Sequence, residues 1–338
     1  MQNILVTGGL GFIGSHTVIS LLNKNLKPIV IDNLSNSNVD VLEKIKNISG
    51  AQPKFFKGDI RDEKFLLRVL IENKIDAVIH FAGLKDVSDS VKNPKKYYDV
   101  NVNGTKTLIK ILKKFNIKKI IFSSSATIYG EPMQLPIPES HQINAINPYG
   151  ENKIMVENLL EDLCEDDKNW KAISLRYFNP IGAHPSGLIG EVMSKKISNI
   201  MPHILNVALE EVSYLNIYGN DYDTKDGTGI RDYIHIMDLV DGHIAALSYL
   251  DKNNGHNVYN LGTGNGTSVL DLVNTFEIVT NQKIPYRFSK KRKGDLSTSF
   301  ADPSKANKEL QWKAKRGLRE MCEDSFRWGL NQKNYKKK

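Results

Sequence analysis

Tyr149 and Lys153 stand four residues apart in the run Tyr149-Gly150-Glu151-Asn152-Lys153, and Ser125 lies twenty-four residues before the tyrosine, closing Ser123-Ser124-Ser125. On a helix this spacing puts the phenol and the ammonium on one face, where the positive charge favours phenolate over phenol. Such a phenolate is a base usable near neutral pH. Taken alone, Tyr-x-x-x-Lys is common on amphipathic helices. Its meaning depends on what positions it.

The chain opens Asn3-Ile4-Leu5-Val6-Thr7-Gly8-Gly9-Leu10-Gly11-Phe12-Ile13-Gly14, an apolar β-type run that breaks into glycines and then into the helical pattern of Ile13, Val18, Leu21 and Leu22. Glycines at 8, 11 and 14 allow a tight turn, close approach of backbone to a pyrophosphate, and close packing of helix on strand, with helix N–H groups facing the anion. A second apolar run, Pro28-Ile29-Val30-Ile31, ends at Asp32, the expected distance on for a carboxylate that accepts from ribose hydroxyls. No arginine follows in Asn33-Leu34-Ser35-Asn36, so a 2'-phosphate would be repelled by Asp32 and find no fork to hold it. The cofactor read from these residues is NAD, not NADP.

The 338 residues are enough for a sizeable core and two lobes. Net charge is +8, but only nine of the 46 basic residues are arginine, and lysine pairs such as Lys113-Lys114, Lys118-Lys119 and Lys195-Lys196 fall on expected solvent faces. With no basic stripe interleaved with aromatics, neither nucleic acid nor membrane is implied as a partner. Cys164 and Cys322 have no metal spacing and suggest no disulfide framework, and the eight histidines contain no His-x-x-x-His pair, so no metal is expected. A first strand at about residue 3, with no apolar run near the ~20 residues of a membrane span, leads to a cytosolic expectation. The terminal Tyr335-Lys336-Lys337-Lys338 reads as a disordered tail.

Strand-like segments at Phe55-Phe56, Ala77 to His80, Lys119 to Phe122 and Ala172 to Leu175 alternate with helical patterns near 38–48, 63–73, 94–115 and 149–165. This rhythm predicts an α/β fold with a doubly wound parallel sheet of Rossmann type, whose ligands lie beyond the carboxyl ends of the strands. Those ends carry Gly58-Asp59-Ile60, Phe81-Ala82-Gly83-Leu84-Lys85, Ser123 to Ser125 and Arg176-Tyr177-Phe178-Asn179-Pro180. Beyond about 180 the pattern loosens into glycine and proline loops. The expected division is an NAD-binding domain over 1–178, with part of 230–262 packing back on it, and a smaller α/β lobe over most of 179–338 that binds substrate.

Taken together, Thr7-Gly8-Gly9-x-Gly11-Phe12-Ile13-Gly14-Ser15-His16, His80 to Lys85, Asn101-Val102-Asn103-Gly104-Thr105, Phe122 to Gly130, Leu175 to Pro185, Asp226-Gly227-Thr228-Gly229-x-Arg231-Asp232-Tyr233-Ile234-His235 and Tyr259-Asn260-Leu261-Gly262 resemble the UDP-glucose 4-epimerase family of extended short-chain dehydrogenases/reductases. The similarity runs from about residue 2 to about 330. It implies epimerisation at C4 of a UDP-hexose with tightly held NAD, Tyr149 as base, Lys153 holding the tyrosine deprotonated, and Ser125 on the reacting oxygen. It implies cofactor contacts from Gly8, Gly11, Phe12, Ile13, Gly14, Asp32, Asn33, Asp59, Ile60, Phe81, Ala82, Gly83, Lys85, Asn101, Ser123, Tyr177 and Phe178, besides Tyr149 and Lys153. For the UDP-sugar it implies Lys85, Ser125, Tyr149, Asn179, Asn199, Asn216, Tyr218, Arg231, Arg292, Asp295 and Ser299. It also implies a homodimer that pairs the helices near 94–115 and 149–165 into a four-helix bundle.

Three departures from the family pattern stand out. The run Glu191 to Asn199 lacks the usual Gly-Ile-Pro-Asn-Asn, and Asn152 replaces a common serine at a position expected to face away from Tyr149 and Lys153. Ser299 stands where members restricted to glucose and galactose have a tyrosine, which leaves space for an N-acetyl group at C2 and suggests UDP-N-acetylglucosamine and UDP-N-acetylgalactosamine as further or preferred substrates. A net oxidoreductase or a sugar-nucleotide dehydratase would share the fold. A dehydratase, however, is expected to carry an acid-base carboxylate pair after the catalytic serine, where Ala126-Thr127 stand.

Overall fold

The computed structural model describes residues 2–192, 199–292 and 294–335. Lys195 and Lys196, most of the run leading into Asn199, and the tail after 335 lie outside the described residues. The six N-terminal strands are β1 (Asn3–Thr7), β2 (Lys27–Asp32), β3 (Lys54–Lys57), β4 (Ala77–His80), β5 (Lys119–Ser125) and β6 (Lys171–Tyr177). The helices between them are α1 (Phe12–Asn23), α2 (Val41–Ser49), α3 (Glu63–Glu72), α4 (Val87–Lys92), α5 (Pro94–Tyr98), α6 (Gly104–Lys114) and α7 (Pro148–Asp166). With the strand Gly255–Leu261, the six form a seven-stranded sheet in the order Gly255–Leu261, β6, β5, β4, β1, β2, β3. The β1–β2, β2–β3, β1–β4 and β4–β5 pairs are parallel. The expected doubly wound sheet is present, and its strand order reverses between β1 and β4, where such sheets open a crevice for ligands.

The strands read as near-continuous apolar runs because helices cover both faces. Ile4, Leu5 and Val6 of β1, Val78 and Ile79 of β4, and Ile120 and Ile121 of β5 are fully buried. The chain separates into two compact units: Met1–Gly130 with Ile143–Arg176 and Val240–Tyr259, and Glu131–Gln142 with Tyr177–Leu239 and Asn260–Lys338. In the second unit, strands Asn179–Ile181 and Tyr233–His235 pair in parallel, as do Leu215–Tyr218 and Tyr286–Ser289, while Ile230–Arg231 lies between Thr267–Ser268 and Thr298–Ser299. Its core gathers Met201, Leu205, Phe276, Met321 and Trp328. Among the described residues, no helix is long and apolar enough to cross a membrane.

Two stretches depart from the periodicity read in the sequence. The single helical pattern near 94–115 is α5 and α6 joined through a π-helical turn over Asp99–Asn103. β5 runs on through Ser123 to Ser125 rather than ending at Phe122.

Candidate active site

α7 begins where the sequence says a helix can begin. Asn147 is its cap, accepting at Oδ1 from the Gly150 N–H at 2.9 Å, and Pro148 occupies the first turn, where no amide is needed. Its buried stripe includes Val156, Leu160 and Leu163, each worth roughly 1.5–3 kcal/mol on burial. That stripe lays the Tyr149–Lys153 face along the end of β5. Lys153 Nζ donates to the Ser123 carbonyl at 2.5 Å and lies 4.7 Å from the Phe122 ring centroid and 5.5 Å from that of Tyr149. Ser125 hydrogen-bonds Tyr149, and its Oγ also accepts from the Thr127 N–H at 3.2 Å and the Thr127 hydroxyl at 3.0 Å. Ser125, Tyr149 and Lys153 are thus brought together.

Their electrostatics differ from the expected ready-made phenolate. Burial pushes the Tyr149 phenol up to about 12, and the Ser125 hydrogen bond offsets only part of this. Burial likewise pulls the Lys153 amine down to about 7, against the opposing field of Glu157. The desolvation cost of either charged form outweighs the attraction between them, and the amine is aimed at a carbonyl rather than at the phenol oxygen. His80, on β4, bridges Thr7 Oγ1 at 2.7 Å and Thr105 Oγ1 at 2.8 Å, and burial reinforced by the charge of Lys153 brings it down to about 3. It is neutral at any physiological pH.

The glycine loop has the shape a pyrophosphate requires. Gly8 has φ +68°, and a Cβ on it would lie 2.7 Å from the Ala82 nitrogen, so the β1 and β4 ends approach too closely for any other residue. A Cβ on Gly14 would come within 2.3 Å of the Gly8 carbonyl oxygen. Gly11 caps α1 with no side chain, and the first turn, containing Phe12 and Ile13, has no acidic residue. The positive end of the helix is therefore left to an anion. Asp32, 6% exposed, accepts from the Leu10 N–H at 3.0 Å, the Leu34 N–H at 2.9 Å and the Ser37 hydroxyl at 2.8 Å. A carboxylate has about four acceptor sites, so capacity for a ribose hydroxyl remains.

The other expected cofactor residues lie at neighbouring strand ends. Asp59 takes Arg61 bidentately and Asn33 at 2.9 Å, and the Arg61 hydrogen bond holds its carboxyl well below the usual range. Ile60 is buried beneath Gly104. The Phe81 ring lies 4.9 Å from that of His243, and the Ala82 N–H donates to Thr7 Oγ1. Asn101 accepts from the Leu84 N–H at 2.7 Å and donates to the Leu84 carbonyl at 3.0 Å, so its amide shapes the loop from Gly83 to the exposed Lys85. Tyr177 and Phe178 are buried in the second unit.

In that unit Arg292 pairs with Asp295 at 2.7 Å and stacks 4.8 Å above the Tyr218 ring, while Arg231 donates to the Ile230 and Leu296 carbonyls, both at 2.8 Å. Tyr222 feels the charges of Asp295, Arg231, Lys291 and Arg292 together. It is not among the residues the sequence points to, since nothing but its place in a glycine-rich loop marks it. Asn199 Nδ2 donates to Glu191 at 2.6 Å, Asn216 accepts weakly from Ser289 at 3.3 Å, and Asn179 is exposed. Ser299 is 9% exposed beside Ile230–Arg231. Asn152 is buried, and its Nδ2 has no partner among the described residues.

The sequence matches the family model described as GDP-mannose 4,6 dehydratase over residues 5–325. It is 51% identical to the UDP-glucose 4-epimerase of Bacillus subtilis (strain 168) over 331 residues, 98% of either chain. The fold superposes with a TM-score of 0.97 on UDP-glucose 4-epimerase from Stenotrophomonas maltophila, solved with NAD and formylated UDP-arabinopyranose, at 42% identity over 99% of this chain and 100% of that one. The enzyme of that name from Bifidobacterium longum, solved with NAD+ and UDP, gives 0.95 at 47% identity over 98% and 99%. Fold, glycine loop and end-to-end identity agree, and the chain belongs to the UDP-glucose 4-epimerase family.

Proposed function

We propose that this protein interconverts UDP-hexoses that differ in configuration at C4. The observation that carries the reading is the convergence of Ser125, Tyr149 and Lys153 at the end of β5, in a chain whose full-length relatives bear the epimerase name. When bound, NAD+ supplies a hydride acceptor, which later returns the hydride to the same sugar carbon, and a positive charge. The Gly8–Gly14 loop with the uncapped end of α1 would hold its pyrophosphate, and Asp32 a ribose. Tyr149 takes the proton of the C4 hydroxyl as the 4-keto sugar forms and returns it after the ketone has turned. Because Thr127 fills two acceptor positions on Ser125, the serine proton is free to point at Tyr149 or at the reacting oxygen. The Lys153 ammonium favours the phenolate while it lasts. Net oxidation is zero, so turnover without added NAD and without free NADH is the test; stoichiometric NADH would identify a dehydrogenase instead.

In the second unit, Arg231, Arg292, Asn179 and Asn199 are suited to the diphosphate, with Tyr218, Asn216 and Asp295 for the uridine. Ser299 leaves a small side chain where a tyrosine would fill space, which supports N-acetylated UDP-hexosamines as additional substrates. The Ala126-Thr127 pair, with no carboxylate, speaks against a dehydratase. A homodimer is the assembly we favour, since Val91, Tyr98 and Met155 are exposed on α4, α5 and α7; light scattering tests it. The two domains expected from the sequence and a cytosolic location complete this reading.

A further inference from the structure

One buried charged group in the first unit has no part in the chemistry above. Glu157 is 4% exposed and Arg176 3%, and Arg176 Nη2 meets Glu157 Oε2 at 2.6 Å while its Nε reaches Oε1 at 3.1 Å. Arg176 Nη1 also donates to the Tyr129 hydroxyl at 3.0 Å. The Ser124 hydroxyl donates to Glu157 Oε1 at 2.5 Å. A paired buried charge of this kind gives little net stability over apolar residues of the same volume, so stability alone does not account for it.

Its position does. Tyr149, Lys153 and Glu157 follow at intervals of four on one face of α7. Each takes a different one of three consecutive residues at the end of β5: Tyr149 the Ser125 hydroxyl, Lys153 the Ser123 carbonyl, Glu157 the Ser124 hydroxyl. We propose that Glu157, oriented by Arg176, is the positioning residue of this site: it fixes the β5 serines against α7 and places a carboxylate one helical turn from Lys153. This rests on the assignment of Lys153 and Tyr149 to turnover.

Other groups around Lys153 do not replace Glu157. His80 on β4 is held neutral, Tyr149 is protonated, and Arg176 on β6 and Tyr129 in the turn after β5 are bound into the Glu157 network. Asp86 and Asp89, at the start of α4, which packs on α7, act on Tyr97. Among the charges that act on Lys153, that of Glu157 is the one that opposes its desolvation. The sign is fixed: without that carboxylate the amine loses its proton at lower pH.

The test uses Glu157→Gln, which keeps the hydrogen bond to Ser124 and removes the charge. Because it strands Arg176, a second variant replaces both residues by methionine. Lys153 is titrated by NMR of 13C-labelled lysine, assigned with Lys153→Met, and the pH profile of kcat is recorded on the NAD-loaded enzyme. The Lys153 midpoint and the alkaline limb of kcat should both move down by roughly one pH unit, the effect of one charge at this spacing. Ser124→Ala, which leaves the carboxylate in place, should move neither. An unmoved midpoint in both Glu157 variants overturns the proposal. A moved midpoint with an unmoved limb also overturns it, and places the fault in the role given to Lys153.

Discussion

In protein stripped of NAD, Tyr149 should keep its proton to well above pH 10. Burial sets its midpoint near 12 against an ordinary 10.0, with the Ser125 hydrogen bond already included. Each unit of displacement is a tenfold loss of phenolate, so at pH 7 a group titrating there is ionised in roughly one molecule in 10⁵. Such a scarce base cannot sustain turnover at ordinary rates, and the positive charge brought by NAD+ should lower the midpoint. The assay is the ultraviolet difference absorbance of tyrosinate between wild type and Tyr149→Phe, recorded against pH without and then with NAD+. The stripped protein should show a midpoint near 12, and Ser125→Ala should raise it by removing the one hydrogen bond that favours the anion. A stripped-protein midpoint at or below 10 refutes the burial argument. In turnover, Tyr149→Phe keeps the ring and loses the base, so kcat should fall by roughly two to four orders of magnitude with fold and NAD content retained. Near-normal turnover would remove Tyr149 from the mechanism.

Asp32→Ala takes an acceptor from Leu10, Leu34 and Ser37 as well as from ribose; cofactor retained through purification should drop by roughly tenfold or more, and an unchanged NAD content measured by chromatography contradicts that role. Gly14→Ala drives a methyl to 2.3 Å from the Gly8 carbonyl, so calorimetry should show a lower Tm and equilibrium dialysis weaker NAD binding; normal values for both mean that α1 can shift freely. Ser299→Tyr should reduce kcat/KM for UDP-N-acetylgalactosamine relative to UDP-galactose by roughly ten- to a hundredfold, the usual cost of overpacking. A wild type inert toward the N-acetylated sugar, or a ratio unchanged by the tyrosine, shows that position 299 is not the gate.

Local features of the chain were legible in advance because they depend on near neighbours. An apolar run ending in glycines, a strand ending in Asp32, and a four-residue Tyr–Lys interval each carry their own geometry. What escaped depends on residues far apart in sequence. Glu157 and Arg176 meet only after α7 has crossed back over the sheet, and neither spacing nor type marks them as a pair. The burial of Asn152 comes from neighbouring elements and cannot be read from its place in the Tyr149–Lys153 interval. The burial that pushes the Tyr149 phenol up to about 12 is hidden for the same reason, since an interval reports which charge is near but not how much water has been removed. The turn over Asp99–Asn103 interrupts a pattern whose period is helical on both sides, so hydrophobic spacing could not reveal it.

The three successive grips of α7 on β5 set a rule about chain length. One residue inserted between Tyr149 and Glu157 would rotate everything after it by about 100° around the helix and take at least one side chain off its serine. Any deletion there does the same in the other sense. The connection from Gly130 to Asn147 lies under no such phase condition, because α7 is started afresh by Asn147 and Pro148 whatever precedes them. Relatives of different length should therefore differ in that connection, while the run from 149 to 157 keeps its number of residues and confines exchanges of side chain to positions other than Tyr149, Lys153 and Glu157.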